Sequence, residues 1–383
     1  MANILTNLAA DIYKAADTVG REMVGFIPSS TINSSDTLRA AKGDTVRSHF
    51  TRTPTVNTSF APSMTIPEGT DQTVDNKTMS INNFASVQIP WTGEDVKHVK
   101  NGAGFETIYG DQIKQAMRAI ANTIEAYVAI IVKNGSSRAI GTAGTTPFAS
   151  NHDVMAQVRQ ILVDNGCPAT DGMLSMVLNT SAGTKMRNLV QLQKANESGS
   201  TDLLRQGTLL DLQGLMIKES AGVANHTKGT GASYVTSGST AIGVKDIALI
   251  TGTGTVLDGD VVTFAADANN KYVVGTGVAA PGTISLNDPG AQVVIATANA
   301  LTVGNSYAAN VAFHKSAVEV VVRAPAMPEG GDAAIDRMLV QDPFSGLVFE
   351  IAAYNGYMKK MIEVRCLYDA KVWKPQHVAT LLG

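Results

Sequence analysis

The sequence predicts an α+β fold that carries a small antiparallel β-barrel within it. Three observations predict it. Residues 105–134, FETIYGDQIKQAMRAIANTIEAYVAIIVKN, hold one helical face without a slip: Ile113, Met117, Ile120, Ile124, Tyr127 and Ile131 recur at alternating steps of four and three. Residues 225–311 are poor in charge and rich in Gly, Thr, Ala and Val, with short β runs (DIALI, DVVTFAA, KYVVGT, GTISL, QVVIATA, SYAANVAF) between turn signals. On either side of that stretch, strands and helices follow each other in no βαβ rhythm.

From the start of the chain, Ile4, Leu8, Ile12, Ala15, Val19 and Met23 form a helical face, backed by Asp11, Lys14, Asp17, Arg21 and Glu22. This amphipathic arm ends before Pro28 and reads either as a helix packed on its own domain or as a docking surface. Residues 1–43 form this N-terminal arm. Residues 44–100 are extended: TVRSHF, TPTVNTSF and SVQIPW favour β structure, and the segment between them is full of Pro, Gly, Asp and Asn. With few bulky apolar positions, such a ribbon cannot build a core and is marginal alone. It reads as an arm laid over another subunit, against the plainer reading of a surface hairpin.

The 30-residue helix at 105–134 spans about 45 Å at 1.5 Å per residue. Asp111 lies in its early turns and Lys133 in its last, as the macrodipole prefers, and Gly135 closes it. Ser150 can cap the next helix, HDVMAQVRQILVDNG, whose apolar face is Val154, Val158, Ile161 and Leu162 and which Gly166 ends. Residues 173–179 read as a buried strand, TSAGTKMRNL as a short helix, and Leu215 to Lys218 as another strand. In the charge-poor segment, Asp258-Gly259, Asn269-Asn270 and Asn287-Asp288-Pro289-Gly290 mark turns, giving a small barrel or sandwich of about six strands. Mixed patterning then resumes. AVEVVVRAP is a strand, DAAIDRML carries helix signals, and two β-rich runs meet at a hairpin signal, Asn355-Gly356. The divisions are 1–43, 44–100, 101–172, 173–224, 225–311 and 312–383.

Composition narrows the function. Hydrophobic residues make up 44% and charged residues only 16% of the 383, well below the usual quarter or so. A chain that buries much of its surface against partners needs less charge, which points to an assembly. A net charge of −3 and a pI near 6.1 give no support for wrapping nucleic acid or coating an anionic membrane. Cys167 and Cys366 are far apart and read as buried free thiols in a reducing compartment. The opening MANILTNLAADIYK lacks the pattern of a secretion signal, and the run Ala126 to Val132 is far too short to span a bilayer. The expectation is a chain made in the cytoplasm and kept there or in something assembled there.

No catalytic pattern emerges. There is no GxxxxGK[ST] or GxSxG, and ITGTGTVLDGD lacks the phosphate-loop lysine and reads as loop between strands. His49, His98, His152, His226, His314 and His377 are scattered without metal-ligand spacing. The pairs Glu94-Asp95 and Asp258/Asp260 sit at turns as solvated or capping groups. No catalytic, cofactor-binding or metal-ligating residue is assigned, and no cofactor is expected.

The order of parts (helical arm, weakly cored β-arm, long helix, α+β body, inserted β-domain, returning β tail) resembles the major capsid proteins of tailed bacteriophages, the Hong Kong 97-type fold. Within them it is most similar to short-tailed-phage coat proteins with an insertion domain. The resemblance covers essentially the whole chain. It is strongest in RAIANTIEAYVAIIVKNGS (Arg118 to Ser137), LLRQGTLLDLQGLMIKES and YMKKMIEVRCLYDAKVWKPQHV. It implies an N-arm at 1–43, an extended loop at 44–100, a peripheral domain with its spine helix at 101–172, an axial domain beginning at 173–224, an inserted β-domain at 225–311, and a return through axial and peripheral domains at 312–383. It places inter-subunit contacts at Ile12, Arg21, Arg52, Glu68, Lys77 and Trp91. Some relatives cross-link a loop lysine to a neighbour's asparagine, for which Lys77 and Asn355 are the counterparts here, although no activating carboxylate can be assigned.

The partners implied are copies of the chain in hexamers and pentamers, a scaffolding protein and a portal during assembly, packaged double-stranded DNA held without base contacts, and a decoration protein; no membrane is implied. The location implied is the virion capsid, with assembly in the host cytoplasm. The competing readings are a β-rich adhesin on a cell surface or phage tail, a cellular nanocompartment shell, and an enzyme with an unrecognised site.

Overall fold

The computed structural model describes residues 25–51, 56, 58, 62–66, 74–100, 105–194, 206, 207, 209, 211–342 and 345–383. The helix expected over residues 4–23 lies outside them. The described chain begins with α1 (Phe26–Ser29), β1 (Thr31–Ala40), β2 (Thr45–Thr51), β3 (Val74–Ser80), β4 (Asn83–Thr92), α2 (Gly93–Lys100) and the long helix α3 (Phe105–Asn134). Then come β5 (Arg138–Gly141), α4 (Asp153–Asp164), β6 (Leu174–Leu178), α5 (Thr180–Arg187), α6 (Val190–Gln193), β7 (Met216–Glu219) and β8 (Asn225–His226). The charge-poor stretch holds β9 (Tyr234–Thr236), β10 (Asp246–Ile250), β11 (Val261–Phe264), β12 (Asp267–Thr276), β13 (Thr283–Leu286) and β14 (Ala300–Val303). The chain closes with β15 (Tyr307–His314), β16 (Val318–Pro325), β17 (Ala334–Gln341), β18 (Val348–Gly356), β19 (Lys359–Val372) and β20 (Val378–Leu382).

The helix α3 has the bounds its periodicity predicts. Ile113, Met117, Ile120 and Ile124 are buried, and over the last turns the buried face drifts to Val128 and Val132, while Tyr127 and Ile131 are half-buried. Such drift is what a 3.6-residue turn imposes on a 3.5-residue spacing. This face packs with β4, β15 and β19 in the largest apolar core. The Tyr127 ring meets Tyr368 edge-on at 5.5 Å, and its hydroxyl donates to Asp369 Oδ1 at 2.9 Å.

Strand β19 organises one sheet. β4 pairs with it over ten residues, from Asn83 opposite Tyr368 to Thr92 opposite Lys359. Its other edge is shared in succession by β18 and β16, which carry β17 and β1 outwards. The extended region read as 44–100 therefore divides in two. β2 and β3 pair only with each other, whereas β4 belongs to the body because Ala85, Val87, Ile89 and Trp91 pack on the core.

Three local expectations change. DAAIDRML is not helical: Ala334–Gln341 is strand β17, paired antiparallel with β18 from Ala334–Tyr354 to Gln341–Val348. The pairing outweighs the helix preference of Ala, Arg and Met, as tertiary context commonly does. The β18–β19 hairpin turns at Tyr357 and Met358, because Asn355 and Gly356 are still paired, with Lys360 and Lys359. The helix α4 has His152 at its N-cap position with no side-chain cap, so Ser150 does not serve there.

The second sheet runs β12-β5-β20-β15-β6-β7 through the body. At its β12 edge it continues into a closed cycle: β11 pairs with β14, β14 with β9, β9 with β10, β10 with β13, β13 with β12, and β12 with β11. The cycle encloses its own apolar cluster, including Tyr234, Ile247, Phe264, Tyr272 and Ile284. The charge-poor composition runs on to Val311, but the cycle ends at Val303, and β15 is a body strand lying between β20 and β6.

Candidate assembly surfaces

The β2–β3 ribbon pairs over seven residues, from Thr45–Ser80 to Thr51–Val74. Its root is closed by Gly43 N–H to the Ile81 carbonyl at 2.7 Å and Ile81 N–H to the Asp44 carbonyl at 2.9 Å. A small cluster of Ala40, Met79, Ile81, Val321 and Leu367 fixes the root to the body. Lys77 Nζ donates to the Trp373 carbonyl at 3.0 Å, and Lys371 Nζ donates to the Thr78 carbonyl at 2.7 Å. Beyond this anchor the described apolar side chains find no cover within the described chain: Val56 is 78% exposed, Ile66 90%, and Met64 fully so. Burying side chains of this kind is worth about 1.5–3 kcal/mol each.

A second projection is the β18–β19 turn, where Tyr357 is 93% and Met358 74% exposed. Beneath it, Trp91, Val96, Tyr357 and Met358 line an open groove of about 660 Å³.

Of the residues assigned to inter-subunit contacts, Ile12, Arg21, Arg52 and Glu68 lie outside the described residues. Trp91 is buried in its own subunit, and its indole N–H donates to Gln112 Oε1 at 3.0 Å. Lys77 is held at the ribbon root, while Asn355 is at the opposite end of β19. Thirteen or so residues of extended chain separate these two places, about 40 Å, so within one subunit they do not meet. The exposed Val56, Met64, Ile66, Tyr357 and Met358 went unread in the sequence. The available signal was bulky apolar residues set among turn formers.

Three polar constructions tie distant elements of the chain together. The Glu125 carboxylate accepts from the Phe26 N–H at 2.7 Å and the Ile27 N–H at 2.9 Å, capping α1, and from the Ser220 hydroxyl at 3.1 Å. Gly25, at φ +129°, makes this possible: a Cβ there would sit 2.3 Å from Glu125 Oε1. Burial raises the Glu125 carboxyl above its usual range, and the two backbone N–H bonds and Ser220 only partly offset this.

Glu350, fully buried, accepts from Arg39 at 2.7 Å and from Arg365 Nε at 2.9 Å, tying β1, β18 and β19 together. Burial pushes its carboxyl up, but the two arginines more than reverse this and hold it below the usual carboxylate range.

The third construction joins α3 to the strand cycle. Lys133 Nζ lies 2.8 Å from His226 Nδ1, and His226 Nε2 lies 2.8 Å from Asp260 Oδ1. An ammonium can only donate, so Nδ1 accepts and Nε2–H donates to the carboxylate, which defines a neutral imidazole tautomer. Asp260 also accepts from the Gly229 and Leu257 N–H groups. Burial lowers the Lys133 amine to about 8 against the pull of Asp260 and Asp258.

Among the described residues no group of three or more His, Cys, Asp or Glu could hold a metal ion, and no described helix is long and apolar enough to cross a membrane.

No protein-family model matches the chain, and no curated protein matches it. Solved structures do. The capsid of the cyanophage P-SCSP1u is 13% identical with a TM-score of 0.52, the match covering 94% of this chain and 88% of that one. The mature capsid of bacteriophage PhiM1 is 10% identical with a TM-score of 0.50, covering 93% and 86%. The chain has the α+β fold of these capsid subunits over nearly its whole length.

Proposed function

From that shared fold we propose that this chain is the major capsid protein of a tailed bacteriophage, building hexamers and pentamers of an icosahedral shell around double-stranded DNA. The observation that carries the reading is the match to two phage capsid subunits along nearly the full length of both partners. The adhesin reading is not favoured, since a β-domain grafted onto another scaffold would match over one part only. The role is structural rather than catalytic.

The geometry supports a division of labour. The β2–β3 ribbon serves as the extended loop, its exposed Val56, Met64 and Ile66 covered by a neighbouring copy. The helix α3 is the spine of the peripheral domain, and the sheet around β15 belongs to the axial domain. The cycle β9–β14 is the inserted domain. The N-terminal arm read over residues 1–43 is open to a scaffolding protein, with a portal joining during assembly. A low-charge chain suits repeated heterologous contacts, which bury surface around rings.

Sedimentation and negative-stain microscopy of the full chain, with and without a scaffolding partner, test the reading. Shells or rings support it; a compact monomer that persists at high concentration overturns it.

A further inference from the structure

A half-enclosed cavity of about 340 Å³ lies where β5, α4 and β12 meet, away from the ribbon and the hairpin turn. Arg138, Gln157, Gln160, Asp164, Asn270 and Lys271 line it. Arg138 is only 7% exposed. Its Nη1 donates to Asn270 Oδ1 at 3.0 Å and its Nη2 to Asn165 Oδ1 at 3.1 Å, while its buried Nε has no partner. Lys271 Nζ donates to the Gly141 carbonyl. Both cations are thus held by neutral oxygens. Among the described residues no carboxylate comes within 4.0 Å of either. Asp164 lines the cavity without bridging and Asp267 is taken up by Asn270 and Tyr272, and at longer range both carboxylates only partly offset the burial of the Arg138 charge.

A guanidinium does not shed its proton at physiological pH. A charge buried to this degree against neutral partners is costly, and an apolar residue of the same size would be cheaper at that point in a sheet. Each Arg138 terminal nitrogen has spent one of its two hydrogens on an amide. One hydrogen on each, with the partnerless Nε–H, is left over, and a guanidinium offers such hydrogens to an oxyanion. Gln157 and Gln160, both exposed, border the cavity on the helix side with side-chain amides able to donate, and Lys271 adds a second positive charge.

We infer that this cavity is an oxyanion-binding site, taking a phosphate ion or a carboxylate group between Arg138, Lys271 and the two glutamines. The inference does not depend on the shell reading.

The test is thermal denaturation of the unassembled full chain in sodium phosphate, sodium acetate or sodium chloride at equal ionic strength. Phosphate or acetate should raise the midpoint saturably, by about 3 °C or more over chloride. Which of the two does so tells whether the site is built for a tetrahedral or a planar anion. Strongly hydrated anions also stabilise folded chains without a site, so two variants decide. Arg138→Gln should lose the response. Gln160→Glu, which puts a carboxylate into the cavity, should raise the midpoint in chloride and make added oxyanion ineffective. If Arg138→Gln does not fold, Gln160→Glu suffices. A response equal in all three salts, or one that survives unchanged in Gln160→Glu, overturns the assignment.

Discussion

The β2–β3 ribbon and the β9–β14 cycle are both built from antiparallel strands, yet they end in opposite conditions. The cycle joins its last edge to its first, so every strand has two neighbours, and Phe264, Tyr234, Tyr272, Ile247, Leu249 and Ile284 lie in one buried cluster. The ribbon has two strands and two open edges, and Val56, Met64 and Ile66 face solvent. Closure gives the cycle a shared apolar interior and leaves none of its strands on an open edge; a two-stranded ladder without such an interior needs a surface from elsewhere. Apolar content and edge count together separate the domain from the arm.

The contrast can be broken in order of effect. Replacing residues 52–73 with a short Gly-Ser turn should abolish particle formation altogether while shifting the monomer's thermal midpoint by no more than about 2 °C. Particles that close normally would remove the ribbon from the assembly scheme; sedimentation and calorimetry read both sides.

Next, Phe264→Ala in the cycle should cost about 3–5 kcal/mol in urea unfolding. The double change Met64→Ser, Ile66→Ser in the ribbon should cost less than about 0.5 kcal/mol and still impair assembly. Equal costs at the two places would erase the distinction.

A third change tests how independent the cycle is. His226→Leu removes the central member of the chain from Lys133 to Asp260 and leaves both charges short of a partner. It should cost about 1–3 kcal/mol, with amide exchange quickening at the end of α3 and around Gly229 more than inside the cycle. Uniform quickening would make cycle and body one cooperative unit.

The smallest effect is in pH. The Lys133 amine is lowered to about 8 in the fold against 10.5 for a free side chain. In that interval the unfolded chain binds a proton that the folded chain does not, so the Lys133 contribution grows as pH rises from about 8 to 10.5 and is lost as pH falls back through 8. Lys133→Met should flatten this rise relative to the parent chain. Tyr307, raised by its burial, pulls the other way above pH 10 in both proteins, so only the difference is informative.

The sequence made some of this legible. The long helix was readable because a single face repeats from Ile113 to Ile131, and the short strands of the cycle because turn residues punctuate them. The strand β17 was not, because its residues favour a helix and only the partner β18 decides otherwise. Trp91 looked like a contact for a neighbour, as large aromatics in extended segments often do, but the arrival of α3 beside β4 buries it. Pairings such as Lys133–His226, ninety-three residues apart, and Arg138 with Asn270 leave no trace in local pattern, since neither partner has unusual neighbours.

The place where the chain leaves the body for the cycle has its own consequence. Asn225 and His226 in β8 sit directly opposite Ala308 and Tyr307 in β15, a separation of about 5 Å. Departure and return share one doorway, while β12 of the cycle also pairs with β5 of the body. A lineage could lengthen or trade the turns of the cycle without re-registering a body strand, whereas discarding the cycle would bare the β5 edge. An engineer could use the same threshold to graft a foreign module onto the subunit.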